Sequence, residues 1–155
     1  MKNNLENPDI LSKNILTAID VILRKVPNAV FGGSIALNAV GLINRPIKDI
    51  DLFISIGSVV PDSIVESSEG VITSETSEDT NGVLIDRTGM LIAGQSVCVF
   101  KVPEEELAHS KINVLGRELN IQNVNFALRA KMSYADKTDK HKKDLKEINN
   151  ILDNL

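Results

Sequence analysis

The chain has 155 residues, 43% of them hydrophobic and 25% charged, with a formal net charge of −4. That length suits one domain with a sizeable core, and the acidic balance argues against a general nucleic-acid coat, which needs a broadly basic surface. The lone cysteine, Cys98, excludes an intrachain disulfide framework and a cysteine-based zinc cluster.

The opening MKNNLENPDI lacks the apolar stretch of a signal peptide. No later run approaches the roughly 20 apolar residues that cross a bilayer. A cytoplasmic protein without a membrane partner is therefore expected. From Pro8 to Lys25, Ile10, Leu11, Ile15, Leu16, Ile19, Ile22 and Leu23 recur at helical spacing, which predicts an amphipathic helix with Pro8 in its first turn. Ala29-Val30-Phe31 reads as a short buried strand ending in Gly32-Gly33, and Ser34 opens a second helix that closes near Gly41. Asn44-Arg45-Pro46 reads as a turn, Asp49 to Ile54 as a strand, and Pro61 to Ser67 as a short helix.

The polar segment from Glu66 to Asn81 predicts a loop with one edge strand near Val71 to Ser74. Val83 to Asp86 and Met90 to Ile92 read as strands about a turn at Thr88-Gly89. The β-branched run Ser96 to Val102 gives a further strand, and Gly116 centres a last hairpin, Lys111 to Val114 with Glu118 to Ile121. Phe126 to Ala135 and Asp139 to Leu155 predict two closing helices. The expectation is one α+β domain over residues 1–155: a mixed sheet flanked by helices, its core at about 8–135 and its C-terminal helix at about 139–155.

Two short stretches carry chemistry. Gly32-Gly33-Ser34, between a strand and a helix, reads either as a turn capped by Ser34 or as a cradle where backbone amides meet a phosphate. Asp49 and Asp51, one residue apart, project from one face of a strand. They read either as a solvated strand end or as ligands for a hard divalent cation, which takes carboxylates together with substrate phosphates. His141, with Lys137, Lys140, Lys142, Lys143 and Lys146, reads either as a solvated helix face or as a surface for the polyanionic part of a ligand.

In combination these features resemble the nucleotidyltransferase superfamily, whose fold is shared with DNA polymerase beta. Its signature is an apolar residue, Gly-Gly or Gly-Ser, a helix, then Asp-apolar-Asp/Glu on a strand. Gly33 and Ser34 match the first part, Asp49 and Asp51 the second, and Arg45 with Lys48 the basic lead-in. A weaker likeness runs on through Val97 to Phe100, Pro103 to Glu106, Ala130-Lys131 and Lys140 to Asp144.

The resemblance implies Mg²⁺ (or Mn²⁺) on Asp49 and Asp51. It also implies an NTP whose phosphates lie on Gly32, Gly33 and Ser34, with Arg45, Lys48 and Lys131 offsetting their charge. The implied reaction moves an NMP to an acceptor hydroxyl (protein, RNA or small molecule) and releases pyrophosphate. Nucleic acid enters only as an acceptor. A lean chain of this kind implies a small substrate or a partner protein that completes the site, as in toxin–antitoxin pairs. The family's third carboxylate falls at Cys98, so Asp86 is the expected substitute, with the Glu104 to Glu106 cluster behind it. Two alternatives stand beside it: an enzyme that runs on two carboxylates with a weaker base, and a catalytically impaired binding or assembly module that keeps the fold.

Overall fold

The computed structural model describes residues 3–78, 84–134 and 139–153, and only the backbone of residues 130–134, 140, 141 and 152. In chain order the elements are α1 (Lys13–Lys25), β1 (Val30–Phe31), α2 (Gly33–Ala39), β2 (Asp49–Ser55), α3 (Asp62–Glu66), β3 (Thr73–Glu78), β4 (Leu84–Ile92), β5 (Gln95–Val102), a 3₁₀ turn (Glu104–Leu107), β6 (His109–Val114), β7 (Arg117–Gln122), α4 (Val124–Tyr134) and α5 (Asp139–Asp153). The fold is α+β, as expected. No helix among the described residues is long and apolar enough to cross a membrane.

Seven strands form one mixed sheet in the order β3-β4-β5-β2-β1-β7-β6. β2 runs parallel to β5 and antiparallel to β1, while β1 runs parallel to β7. Because side chains alternate along a strand, register assigns every residue to a face. One face carries Met90, Ile92, Val97, Val99, Ile50, Leu52, Phe31, Leu119 and Ile121, all buried in the core with Ile15, Ile19 and Ile22 of α1. The other carries Thr73, Glu75, Arg87, Ser96, Cys98, Asp49, Asp51, Asn120 and Lys111. One side of the sheet thus closes the core, while the other carries the polar cluster around Asp49 and Asp51 together with the stacked rings of Phe53 and Phe100.

Three elements depart from expectation, the first being β3, which runs Thr73–Glu78 rather than near Val71 to Ser74 and so extends into the expected loop. α1 begins at Lys13 rather than Pro8, because Ser12 is its N-cap and its hydroxyl accepts the Ile15 N–H at 3.3 Å. Leu5, Ile10 and Leu11 are still buried, from the turns that precede it. The expected turn at Thr88-Gly89 does not exist: both residues lie inside the continuous strand β4, opposite Ser74 and Thr73. The chain reverses instead at Ala93 and Gly94, whose φ angles of 50° and 75° are the left-handed pair a two-residue hairpin turn needs. Val83, the expected start of that strand, lies outside the described residues.

Candidate active site

Asp49 and Asp51 sit on β2 with their side chains on the polar face, both half-buried. Their register partners on β5 are Ser96 and Cys98, so Cys98 lies directly beside Asp51. Burial pushes the Cys98 thiol above its ordinary range, and the negative charge of Asp51 pushes it further. A thiol with an ordinary value near 8.5 is already mostly protonated at neutral pH, and the shift makes it more so. The position facing Asp51 is therefore a neutral, soft group.

On the other flank of β2, β1 ends in Gly32-Gly33. The Gly32 N–H donates to the Asp51 carbonyl at 3.0 Å, which pins the turn to the strand. Gly33 has φ 56°, and a Cβ there would collide with the Asp51 carboxylate. Only glycine tolerates both the conformation and the approach. Sequence spacing suggested that the glycine turn and the acidic pair are neighbours; in the structure they touch.

Ser34 follows, buried at the start of α2. The helix is held by Asn38, which is fully buried: its Nδ2 donates to the Ser34 carbonyl at 2.8 Å and the Arg45 carbonyl at 3.3 Å, and its Oδ1 accepts the Arg45 N–H at 3.4 Å. Asn38 thus ties the Gly33-Ser34 turn to the segment that enters β2. Sequence reasoning missed it, although a lone amide inside Ile35-Ala36-Leu37-Asn38-Ala39 was the available signal.

The expected basic and acidic helpers fall in different places. Arg45 does not point at the acidic pair: its Nε and Nη2 donate to the two carboxylate oxygens of Asp144 on α5, at 2.7 and 2.8 Å. Asp144 is buried, so this is a docking contact between α5 and the core. Asn44 adds its N–H to Glu147 Oε1 at 2.7 Å. Lys48 is exposed and, with Arg45, Asp139, Lys143, Asp144 and Glu147, lines a cleft of about 650 Å³ beside the entrance to β2. Lys131 lies on α4, but its side chain, like that of His141, is outside the described residues. Asp86 is the clearest correction. Its register partner on β5 is Lys101, itself opposite Ile54, so Asp86 faces away from Asp49 and Asp51 and instead accepts from Thr76 Oγ1 at 2.8 Å. The glutamates at 104–106 form the 3₁₀ turn after β5, as expected of an exposed helical turn.

Does the set suit magnesium? Two carboxylates on alternate positions of one strand, with an open glycine backbone against one of them, match what Mg²⁺ takes when phosphates complete its shell. Asp49 and Asp51 fit one such ion. A site of three acidic ligands does not fit, because the third position is Cys98 and soft sulfur serves Mg²⁺ poorly. Among the described residues, no group of three His, Cys, Asp or Glu side chains is arranged to hold a metal.

The fold is similar to two solved structures. One is an antigenic nucleotidyltransferase-like protein from Paracoccidioides brasiliensis, with TM-score 0.49 and 16% identity over 90% of this chain and 75% of that one. The other is JHP933 from Helicobacter pylori, with TM-score 0.39 and 17% identity over 79% of this chain and 57% of that one. No family model and no curated protein sequence matches the chain.

Proposed function

We propose that the chain is a nucleotidyltransferase, binding an NTP with Mg²⁺ (or Mn²⁺) and moving the nucleoside monophosphate to an acceptor hydroxyl. The observation that carries this reading is the contact of the Gly33 backbone with the Asp51 carboxylate. It puts a side-chain-free backbone, where a phosphate can approach, against the acid that would hold the metal.

Asp49 and Asp51 would hold the ion, which supplies charge neutralisation at the phosphates. Gly32, Gly33 and Ser34 would receive the phosphates, while Lys48 and Lys143, in the neighbouring cleft, offset their charge. The acceptor oxygen bonds to the α-phosphorus as the bond from that phosphorus to the β-phosphate bridging oxygen breaks, and pyrophosphate leaves. The hydroxyl proton passes to solvent, since the register position beside Asp51 holds the thiol of Cys98 and no third carboxylate to serve as base. Transfer is then slow relative to a site with a third carboxylate, because a positioned base contributes about 10²–10⁴-fold.

Cys98 also favours a second reading, in which the site binds nucleotide without transferring it. Incubation with each α-labelled NTP and with protein, RNA and small-molecule acceptors separates the two. Label transfer that disappears in the Asp49→Asn/Asp51→Asn protein supports the enzyme. Transfer that survives the double substitution removes the site, and nucleotide binding with no transfer selects the second reading.

A further inference from the structure

A cleft of about 830 Å³ lies at the foot of β1, on the face of the sheet that carries Asp51. β1 spans only Val30–Phe31, while β2 runs on to Ser55 and β7 starts at Arg117, so the two neighbours part where β1 has not yet begun. Pro27 has no N–H to give a ladder, and the Ala29 N–H turns back to the Val26 carbonyl at 3.1 Å, which keeps this stretch out of the sheet. Asn120 of β7 lines the cleft and is only 7% exposed, yet its side-chain amide has no hydrogen-bond partner among the described residues. Buried polar side chains are nearly always paired, and an amide without a protein partner on a cleft wall suits a ligand with a donor and an acceptor side by side. The cleft reaches the glycine turn through Phe53. Its ring lines the cleft, and a Cβ on Gly32 would collide with it. The Phe100 ring stacks behind, with ring centroids 5.3 Å apart, and steadies that wall.

We infer that this cleft receives the nucleobase of the NTP and that Asn120 selects adenine. The inference rests on the nucleotidyltransferase reading and adds which nucleotide it takes. Phosphates on Gly32 and Gly33 have the Phe53 ring at their side, so the nucleoside attached to them has the cleft next to it. The volume is ample for a purine nucleoside. An asparagine amide offers one acceptor and one donor together, the match for the N6 donor and N7 acceptor of adenine. The same edge of guanine carries O6 and N7, both acceptors, which suit a cation. The cation in the lining, Lys111, stands at the rim, 67% exposed, and pairs with Glu118 at 3.2 Å, so the buried reading group is the amide. Cytosine and uracil present comparable edges on a smaller ring, which covers less of Phe53.

Calorimetry on the whole chain with Mg²⁺ tests this, using non-hydrolysable analogues of ATP, GTP, CTP and UTP and, as the base-free probe, inorganic tripolyphosphate. In the wild type the ATP analogue should bind tightest, and more tightly than tripolyphosphate. Asn120→Leu should weaken it about tenfold and bring the analogues close together, since a good bidentate amide contact discriminates by about that much. Asn120→Asp, which only accepts, should favour the GTP analogue, whose base offers adjacent N1 and N2 donors. Tripolyphosphate should bind all three proteins alike. A wild type that binds the analogues equally, or prefers another base, overturns the inference, and so do variants that bind the ATP analogue as the wild type does. An amide that merely packs the cleft wall would move tripolyphosphate and every analogue together, which overturns it as well. A wild type that binds neither tripolyphosphate nor any analogue overturns the nucleotidyltransferase reading itself, and the inference with it.

Discussion

Asp49, Ile50 and Asp51 show what a single strand makes legible. The two-residue period places both acids on one face and Ile50 in the core from sequence alone, and the structure keeps that arrangement. Cys98 is legible only by likeness to a pattern, since its position beside Asp51 depends on strand pairing across 47 residues of chain. The surroundings of Arg45 and Asp86 are not legible for the same reason. The partner of Arg45 lies 99 residues away, and the face of Asp86 follows from a register that one misplaced turn reverses. Cys98→Asp tests the residue-scale account. A third carboxylate beside Asp49 and Asp51 adds repulsion, so this variant should melt below the wild type in EDTA and recover with Mg²⁺. With a base restored, label transfer should rise about 10²-fold. Equal melting temperatures with and without Mg²⁺, and unchanged transfer, would contradict it.

The elements were read best where their signal is local. The β-branched run SVCVFKV became β5, the Gly116 hairpin became β6 and β7, and the apolar spacing from Ile15 to Leu23 became α1. β4 is not legible as one strand because glycine reads as a turn signal, whereas Gly89 serves close approach to Thr73 inside the strand. α5 was expected as a helix, but nothing local announced how it docks. That docking gives a prediction at this scale. Arg45→Ala takes both guanidinium hydrogen bonds from the buried Asp144 carboxylate and should cost about 3 kcal/mol in urea unfolding, at the low end for a buried pair because the Arg45 side chain is 22% exposed. Arg45→Met with Asp144→Leu should recover most of that loss, since replacing both charges removes the desolvation cost along with the attraction. A single substitution within 0.5 kcal/mol of wild type would show that the contact does not hold α5 in place.

At the scale of the molecule, the sheet's two faces divide the work. Isoleucine, leucine and valine from five strands close the core on one face, so the other tolerates paired acids, a thiol and an arginine without loss of the fold. The acidic pair occupies β2, near the middle of the sheet, with the Gly32-Gly33 turn on one flank and Ser96 and Cys98 of β5 on the other. Ligand binding at the junction of Gly33 and Asp51 is the claim on which the functional account rests. Its most direct measurement is the melting temperature with non-hydrolysable analogues of the four NTPs, with and without Mg²⁺, for the wild type and Asp51→Asn. At about 100 times the dissociation constant, one analogue should stabilise the wild type by about 2.7 kcal/mol, a rise of roughly 5–10 °C that vanishes in EDTA and in Asp51→Asn. An equal rise in Asp51→Asn, or none in the wild type with any analogue, would contradict it.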